Sequence, residues 1–307
     1  HMVKIAVDKN GIILGMEDEF FHDQGGYIRT HGANVPNRTM CMLTGAYNVP
    51  AYRALCHLRL TNKTPAATYR APGRFESTFV RERLMDALSA KLDINRIELR
   101  RRNLITADQM PFTINFDEPG VEDLEIDNGD YPALLDKALT WLKWDELEAD
   151  LKRRRANGEM VGSGIGVFVE ESGKGPSDGA RISVDENGDV EVLTGGASLG
   201  QGFETTMAQI CANALGVDYQ RIKVIHGQTN LIPYGIGAHA ARATVMTGSA
   251  VNVTALTLRD KALSLAAEML QKPVKSLDIV EGTVIVRENP SGPSITLAEV
   301  ARRNVGG

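Results

Sequence analysis

The chain has 307 residues, with 34 Lys+Arg against 39 Asp+Glu and a formal net charge of −5. Hydrophobic residues make up 43% and charged residues 24%, an ordinary balance for a globular chain of one large domain or two of usual size. The mild acidity argues against a general nucleic-acid binder, which needs a cationic surplus, and no run approaches the roughly 18 apolar residues of a membrane helix. His1-Met2 reads as a vector remnant, with a natural start near Val3. No signal-peptide pattern opens the chain, and the three cysteines are far apart without a CxxC, so a reducing cytoplasm is expected. No His or Cys spacing marks a self-contained metal site.

Residues 3–15 alternate around Asp8-Lys9-Asn10-Gly11, which predicts a β-hairpin with Asn-Gly in the turn. Phe75, Phe79, Leu84, Leu88 and Leu92 then keep close to one helical face, with charges opposite. Asn95 and Glu98 have cap-box spacing ahead of a short helix. Residues 117–130 carry seven acidic side chains and no basic one, read as a solvated loop since the spacing misses a calcium-binding pattern. Asp130 and Pro132 open a helix over 131–142. The basic runs 100–102 and 152–155 read as solvated helix faces, and the polar stretch 153–158 as a boundary between parts 1–157 and 158–307.

In the second part, Ile182 and Val184 pair with Val190 and Val192 around Glu186-Asn187-Gly188, the clearest hairpin in the chain. A glycine-rich turn and an amphipathic helix follow. A strand, an irregular loop and a long helix from about Ala243 to Leu270 come next, then a hairpin and a helix preceded by Ser294. Hairpins are frequent and no βαβ repeat appears, so the fold class is α+β, with mixed sheets packed against helices.

Three segments have the texture of sites. Gly200-Gln201-Gly202 lies between a predicted strand and helix, where glycines permit close main-chain approach and the helix start offers N–H groups to an anion, with Thr205 and Thr206 beside them. The loop 227–248, with Gly237 and Arg242, again precedes a helix, and Arg242 has the chemistry to meet a phosphate. Thr68–Arg74 reads TYRAPGR, with Arg70 and Arg74 flanking a Pro-Gly turn. Each alone has an ordinary alternative: a common strand–glycine–helix turn, a surface arginine, a helix-entry turn with two solvated arginines. His226 and His239 are unpaired in sequence and read as structural.

Taken in order, YNVPAYR, TYRAPGRFESTFVRERLMDALSAKLDINRIELRRRNL, GSGIGVFVEESGKGP, GASLGQGFETTMAQICANALG and GIGAHAARATVMTGSAV resemble the molybdenum-binding large subunit of the xanthine dehydrogenase family, leaning toward its aerobic carbon monoxide dehydrogenase-like members. The resemblance implies two subdomains of a molybdopterin-binding domain and oxidation of a small molecule with water-derived oxygen at a molybdenum–pterin centre. It implies molybdopterin cytosine dinucleotide as cofactor, with an iron–sulfur small subunit holding [2Fe–2S] clusters and an FAD-binding medium subunit as partners. Gly200, Gln201, Gly202, Thr205 and Thr206 would then face the cofactor, as would Gly237 and Arg242. Arg70 and Arg74 would lie in the active-site loop, and Arg53 where related enzymes orient substrate. The family commonly has Gly-Ser-Arg where this chain has Ala240-Ala241-Arg242, and Gly-Asp-Thr where it has Gly227-Gln228-Thr229.

No cysteine lies between Thr68 and Arg74, so the soft thiolate that holds copper in true carbon monoxide dehydrogenases has no counterpart. Family large subunits are more than twice this length and carry their catalytic glutamate near the C-terminus. The chain therefore reads as an internal fragment, inactive alone, and Glu170 and Glu171 are not that base. The alternative is a cofactor-less assembly domain whose site has decayed.

Overall fold

The computed structural model describes residues 1–29, 31–116, 123–173 and 175–304. It divides into two compact units, His1–Glu170 and Glu171–Gly307. Among the described residues, helices and four small sheets make up the units, the α+β class that the pattern predicts. Among the described residues no helix is long and apolar enough to cross a membrane.

The first unit opens with β1 (Met2–Val7) and β2 (Ile13–Asp23), paired antiparallel. The turn forms because the Asp8 carboxylate accepts the N–H groups of Asn10 and Ile12, each at 2.8 Å, while Gly11 takes a positive φ. Helix α1 (Asn34–Cys41) leads to β3 (Tyr52–Arg59), which lies parallel to β2. Helices α2 (Arg74–Leu92) and α3 (Arg96–Asn103) close the core around Ile13, Tyr47, Met85 and Leu99. The Asn95 side chain caps α3 by accepting from Ile97 and Glu98. A short ribbon pairs β4 (Phe112–Ile114) with β5 (Leu124–Ile126), and β5 falls within the expected acidic loop, whose residues 117–122 lie outside the described residues. Helix α4 (Tyr131–Trp141) starts at Asp130 as expected, and α5 (Trp144–Ala156) follows.

Two expectations for this unit fail for one reason. Phe75 and Phe79 are 54% and 71% exposed, and the buried side of α2 is instead Arg74, Ser77, Arg81, Glu82, Met85, Leu88 and Ser89. Arg100, read as part of a solvated face, is fully buried. Its guanidinium meets the Glu82 carboxylate at 2.8 Å and Asp86 at 2.9 Å, while Arg81 pairs with Glu82 and donates to the Met42 and Leu43 carbonyls. Apolar periodicity cannot see a helix face that buries satisfied charge.

The same arginines settle where the unit ends. The extended segment 161–170 alternates in burial, and Ile165, Val167 and Val169 pack on the first core. Its carbonyls at Ser163, Ile165 and Val167 accept from Arg96, Arg100 and Arg81. The polar stretch at 153–158 is thus followed by residues that still belong to the first unit, and the division falls at Glu170/Glu171 rather than 157/158.

The second unit repeats the opening. Strands β6 (Ala180–Val184) and β7 (Val190–Thr194) pair in the expected register, Ile182 with Val192 and Val184 with Val190. Asp185 accepts from Asn187 and Asp189, with Gly188 at positive φ, the same Asp-x-Asn-Gly device as in the first hairpin. Helix α6 (Phe203–Leu215) crosses to β8 (Ile222–Ile225), parallel to β7. A π-helical turn, Ala243–Thr247, runs into α7 (Gly248–Leu270). Strands β9 (Leu277–Val280), β10 (Thr283–Val286) and β11 (Ile295–Thr296) form an antiparallel sheet, and α8 (Leu297–Asn304) ends the unit. The N-terminal cap of α8 is Thr296 rather than Ser294: Glu299 and Thr296 exchange bonds between side chain and backbone N–H. Phe203, Met207, Cys211, Leu215, Val251 and Ala255 are central to this core.

Candidate functional site

In the second unit, β7 ends at Thr194 and the chain turns through 195–202 into α6. Gly202 sits at the helix entry with φ +76°, Gly200 has φ +87°, and no side chain caps α6. A Cβ built on either glycine meets no atom within 4 Å, so the Cα faces of both stand open. Unsatisfied N–H groups at a helix start, reached over bare glycine, form a donor set for an anion. Thr205 is exposed on the first turn, and the Thr206 hydroxyl donates back to the Gly202 carbonyl at 2.9 Å. Gln201 turns inward on the loop: its amide donates to the Ala197 carbonyl and accepts from the Leu199 N–H. It therefore shapes the turn instead of reaching beyond it.

Glu204 is a negative charge on the same helix turn. Hydrogen bonds from His226, from its own N–H and from Ser198 draw its carboxyl aside and hold it below the usual range. His226, read as structural from sequence, thus has a defined task beside the loop, packed edge-on against Phe203.

The structure brings this loop against the second candidate. Gly195 and Gly235 touch so closely that a Cβ on Gly235 would fall 2.3 Å from the Gly195 carbonyl oxygen. Gly237, at φ +75°, lies beside Ala197. Arg242 is elsewhere than its chemistry alone predicts. It is fully buried, ion-paired with Asp178 at 3.0 Å, and donates to the carbonyls of Pro176 at 2.8 Å and Gly237 at 3.3 Å. Asp178 and Thr247, whose hydroxyl donates to the Asp178 carboxylate, were not singled out from sequence. Asp178 stands in a Gly-Pro-Ser-Asp-Gly stretch with the look of an ordinary turn, and nothing local marks its partner.

The third candidate lies in the first unit. Ala71 and Gly73 take positive φ values of 49° and 78°, and a Cβ on Gly73 would come within 2.5 Å of Arg38 Cβ and the Thr39 nitrogen of α1. This close approach fixes the turn. Arg70 is exposed, its guanidinium over the Tyr69 ring at 5.9 Å. Arg74 is 6% exposed and ion-paired with Glu170 at 3.1 Å, which gives Glu170 a structural partner. Burial raises the Glu76 carboxyl above its usual range even though it accepts the Gly73 N–H. Arg53 is not gathered into this turn. Tyr52 points its hydroxyl at the Met40 carbonyl of α1, so the alternation of β3 sends Arg53 to the other face, opposite Glu17.

Two stretches of the chain, residues 1–104 and 137–306, match the family model of the molybdopterin cofactor-binding domain. The chain belongs to that family. It is 40% identical over 301 residues to the 6-hydroxypseudooxynicotine dehydrogenase complex subunit gamma of Paenarthrobacter nicotinovorans, covering 98% of this chain and 38% of that one. It is 31% identical to the carbon monoxide dehydrogenase large chain of Hydrogenophaga pseudoflava, covering 90% and 36%. Among solved structures it is similar to quinoline 2-oxidoreductase from Pseudomonas putida 86, with a TM-score of 0.82 and 30% identity over 97% of this chain and 39% of that one. The molybdopterin-binding chain thus spans under two fifths of the length of these relatives.

The residues present fit such a cofactor. The open Cα faces of Gly200 and Gly202 and the uncapped start of α6 suit the phosphate end of a molybdopterin. Among the described residues no group of three or more His, Cys, Asp or Glu side chains is placed to hold a metal ion by itself.

Proposed function

We propose that this chain is part of a molybdenum hydroxylase large subunit whose second unit grips molybdopterin cytosine dinucleotide with the 195–202 and 235–242 loops. The observation that carries the reading is the meeting of two glycine loops, far apart in sequence, beside an uncapped helix start. The cofactor would supply oxidation of a small organic molecule with oxygen taken from water. Main-chain N–H groups at Gly200–Gly202 and the Thr205 hydroxyl would bind its pyrophosphate, and Gly237 would let the second loop approach. Arg70, exposed on a turn held by Gly73 and by the Arg74–Glu170 pair, would orient a polar atom of the substrate. Arg53 is the more distant candidate for that task.

The absence of cysteine from 68–74 leaves copper without a soft ligand in this turn, which favours an organic substrate over carbon monoxide. The quinoline-oxidising neighbour makes an aromatic nitrogen heterocycle the first class to test. An iron–sulfur small subunit and an FAD-binding medium subunit would take the electrons onward, in the cytoplasm. Arg70→Ala in the complete complex is expected to lower turnover at least tenfold with the melting temperature unchanged. Unchanged turnover would remove this turn from the substrate side.

A second reading, an assembly domain without cofactor, is favoured by Ala240 and Ala241, which hold φ values of 47° and 57° where the family commonly has Gly-Ser. Molybdenum analysis of the full-length product, purified with its partners and assayed for acid-released nucleotide, separates the two. Near-stoichiometric metal with CMP supports the hydroxylase. A folded complex with neither supports the assembly domain.

A further inference from the structure

Arg242, Asp178 and Thr247 form a buried polar cluster where several segments of the second unit meet. The side chains of Arg242 and Asp178 are fully buried, and so is Thr247. Asp178 accepts from Arg242, from the Thr247 hydroxyl and from the Gly179 N–H. Arg242 reaches the carbonyls of Pro176, Ser177 and Gly237. The cluster therefore ties the lead-in to β6, the 235–242 loop and the turn before α7 to one point. The other glycine loop is tied to the same point. A Cβ on Gly195 would lie 2.7 Å from the Asp178 carboxylate, and one on Gly196 would lie 3.2 Å from the Thr247 methyl group.

The strain in the loop has its support here. Ala240 and Ala241 hold left-handed backbone that non-glycine residues rarely adopt, and such strain persists only where surroundings over-determine it. They precede Arg242 directly, and the Ala240 carbonyl accepts the Gly173 N–H at 3.0 Å. We propose that Asp178, Arg242 and Thr247 are a buried latch that positions the two glycine loops to receive the cofactor. Arg242 is then a positioning residue rather than a phosphate ligand. Its two terminal nitrogens are engaged below the surface and only the buried Nε is left without a partner, so the guanidinium serves to set where the loop's main chain lies. This inference rests on the cofactor reading given above.

Three variants of the full-length subunit, co-purified with its partners, test it. Arg242→Lys keeps the charge against Asp178 but cannot span the carbonyls, and Thr247→Val keeps the volume but loses the hydroxyl. Arg81→Lys is the comparison, since it disturbs a buried guanidinium that belongs to the first unit, whereas both glycine loops belong to the second. Both latch variants are expected to assemble with melting temperatures within a few degrees of wild type. Their molybdenum and nucleotide per folded complex should fall at least fivefold, with amide hydrogen exchange at 195–202 and 235–242 at least tenfold faster. Arg81→Lys should lower the melting temperature and leave molybdenum per folded complex unchanged. Full loading of both latch variants, or equal loss in Arg81→Lys, would overturn the latch. The exchange readout stands without metal, so a metal-free wild type would overturn the cofactor reading, whereas unchanged exchange in both variants would overturn the latch itself.

Discussion

Arg100 in the first unit and Arg242 in the second are both fully buried, yet they hold different kinds of structure. Arg100 chiefly joins two helices: it lies on α3 and meets Glu82 and Asp86 on α2, with one longer bond of 3.4 Å to the Ile165 carbonyl of the extended segment. Arg242 joins loops, with an aspartate from one segment and carbonyls from two. A guanidinium between helices fixes elements that already have their own backbone bonds. A guanidinium among loops supplies the order that the backbone there lacks. The first kind of site is read in stability, the second in the shape of what the loops bind.

Breaking the helix-to-helix cluster should give the largest effect on stability. Arg100→Leu leaves Glu82, 6% exposed, without its second cation, and loss of one partner of a buried pair costs about 3–5 kcal/mol. Urea unfolding is expected to show this, and a loss below about 1 kcal/mol would show the cluster to be dispensable.

A buried carboxylate without such a cation sharpens the contrast. Asp178 has Arg242, whereas Asp18 on β2, 1% exposed, has a His1 nitrogen at 2.7 Å and an unpartnered second oxygen. Burial pushes Asp18 up to about 6, only partly opposed by the N-terminal charge. The folded chain then keeps a proton that the unfolded chain releases, so stability falls as pH rises from about 4 to about 6 and levels off above. Asp18→Asn should remove that slope and add up to about 3 kcal/mol at pH 7, from about 1.4 kcal/mol per pKa unit. Melting curves between pH 4 and 7 check this, and equal slopes in the two proteins would contradict it. At the small end, Asn95→Ala removes the α3 cap and should cost about 1 kcal/mol, read by the same unfolding curves without change in cofactor content.

The two units were unequally legible in the sequence. The two hairpins β1–β2 and β6–β7 could be read because an Asp-x-Asn-Gly turn carries its own bonding within a few residues. The caps at Asn95 and Asp130 were legible for the same reason. The burial of Arg81, Arg100 and Arg242 was not, since each finds acceptors that lie tens of residues away. Exposure of Phe75 and Phe79 follows from that, because the charged side of α2 took the inside. At the site, Gly200–Gly202 stood out as a strand–glycine–helix turn. Its meeting with the 235–242 loop depends on the Gly195–Gly235 contact, which no local pattern announces.

The central claim is that the open face at Gly200–Gly202 receives the anionic end of the cofactor. Gly202→Asp tests it most directly in the full-length complex. Asp tolerates left-handed backbone better than most residues and favours a helix start, so the fold should survive while a carboxylate enters the space an anion needs. Molybdenum and acid-released nucleotide per folded complex are expected to drop at least tenfold at an unchanged melting temperature. Full loading of that variant would contradict the account.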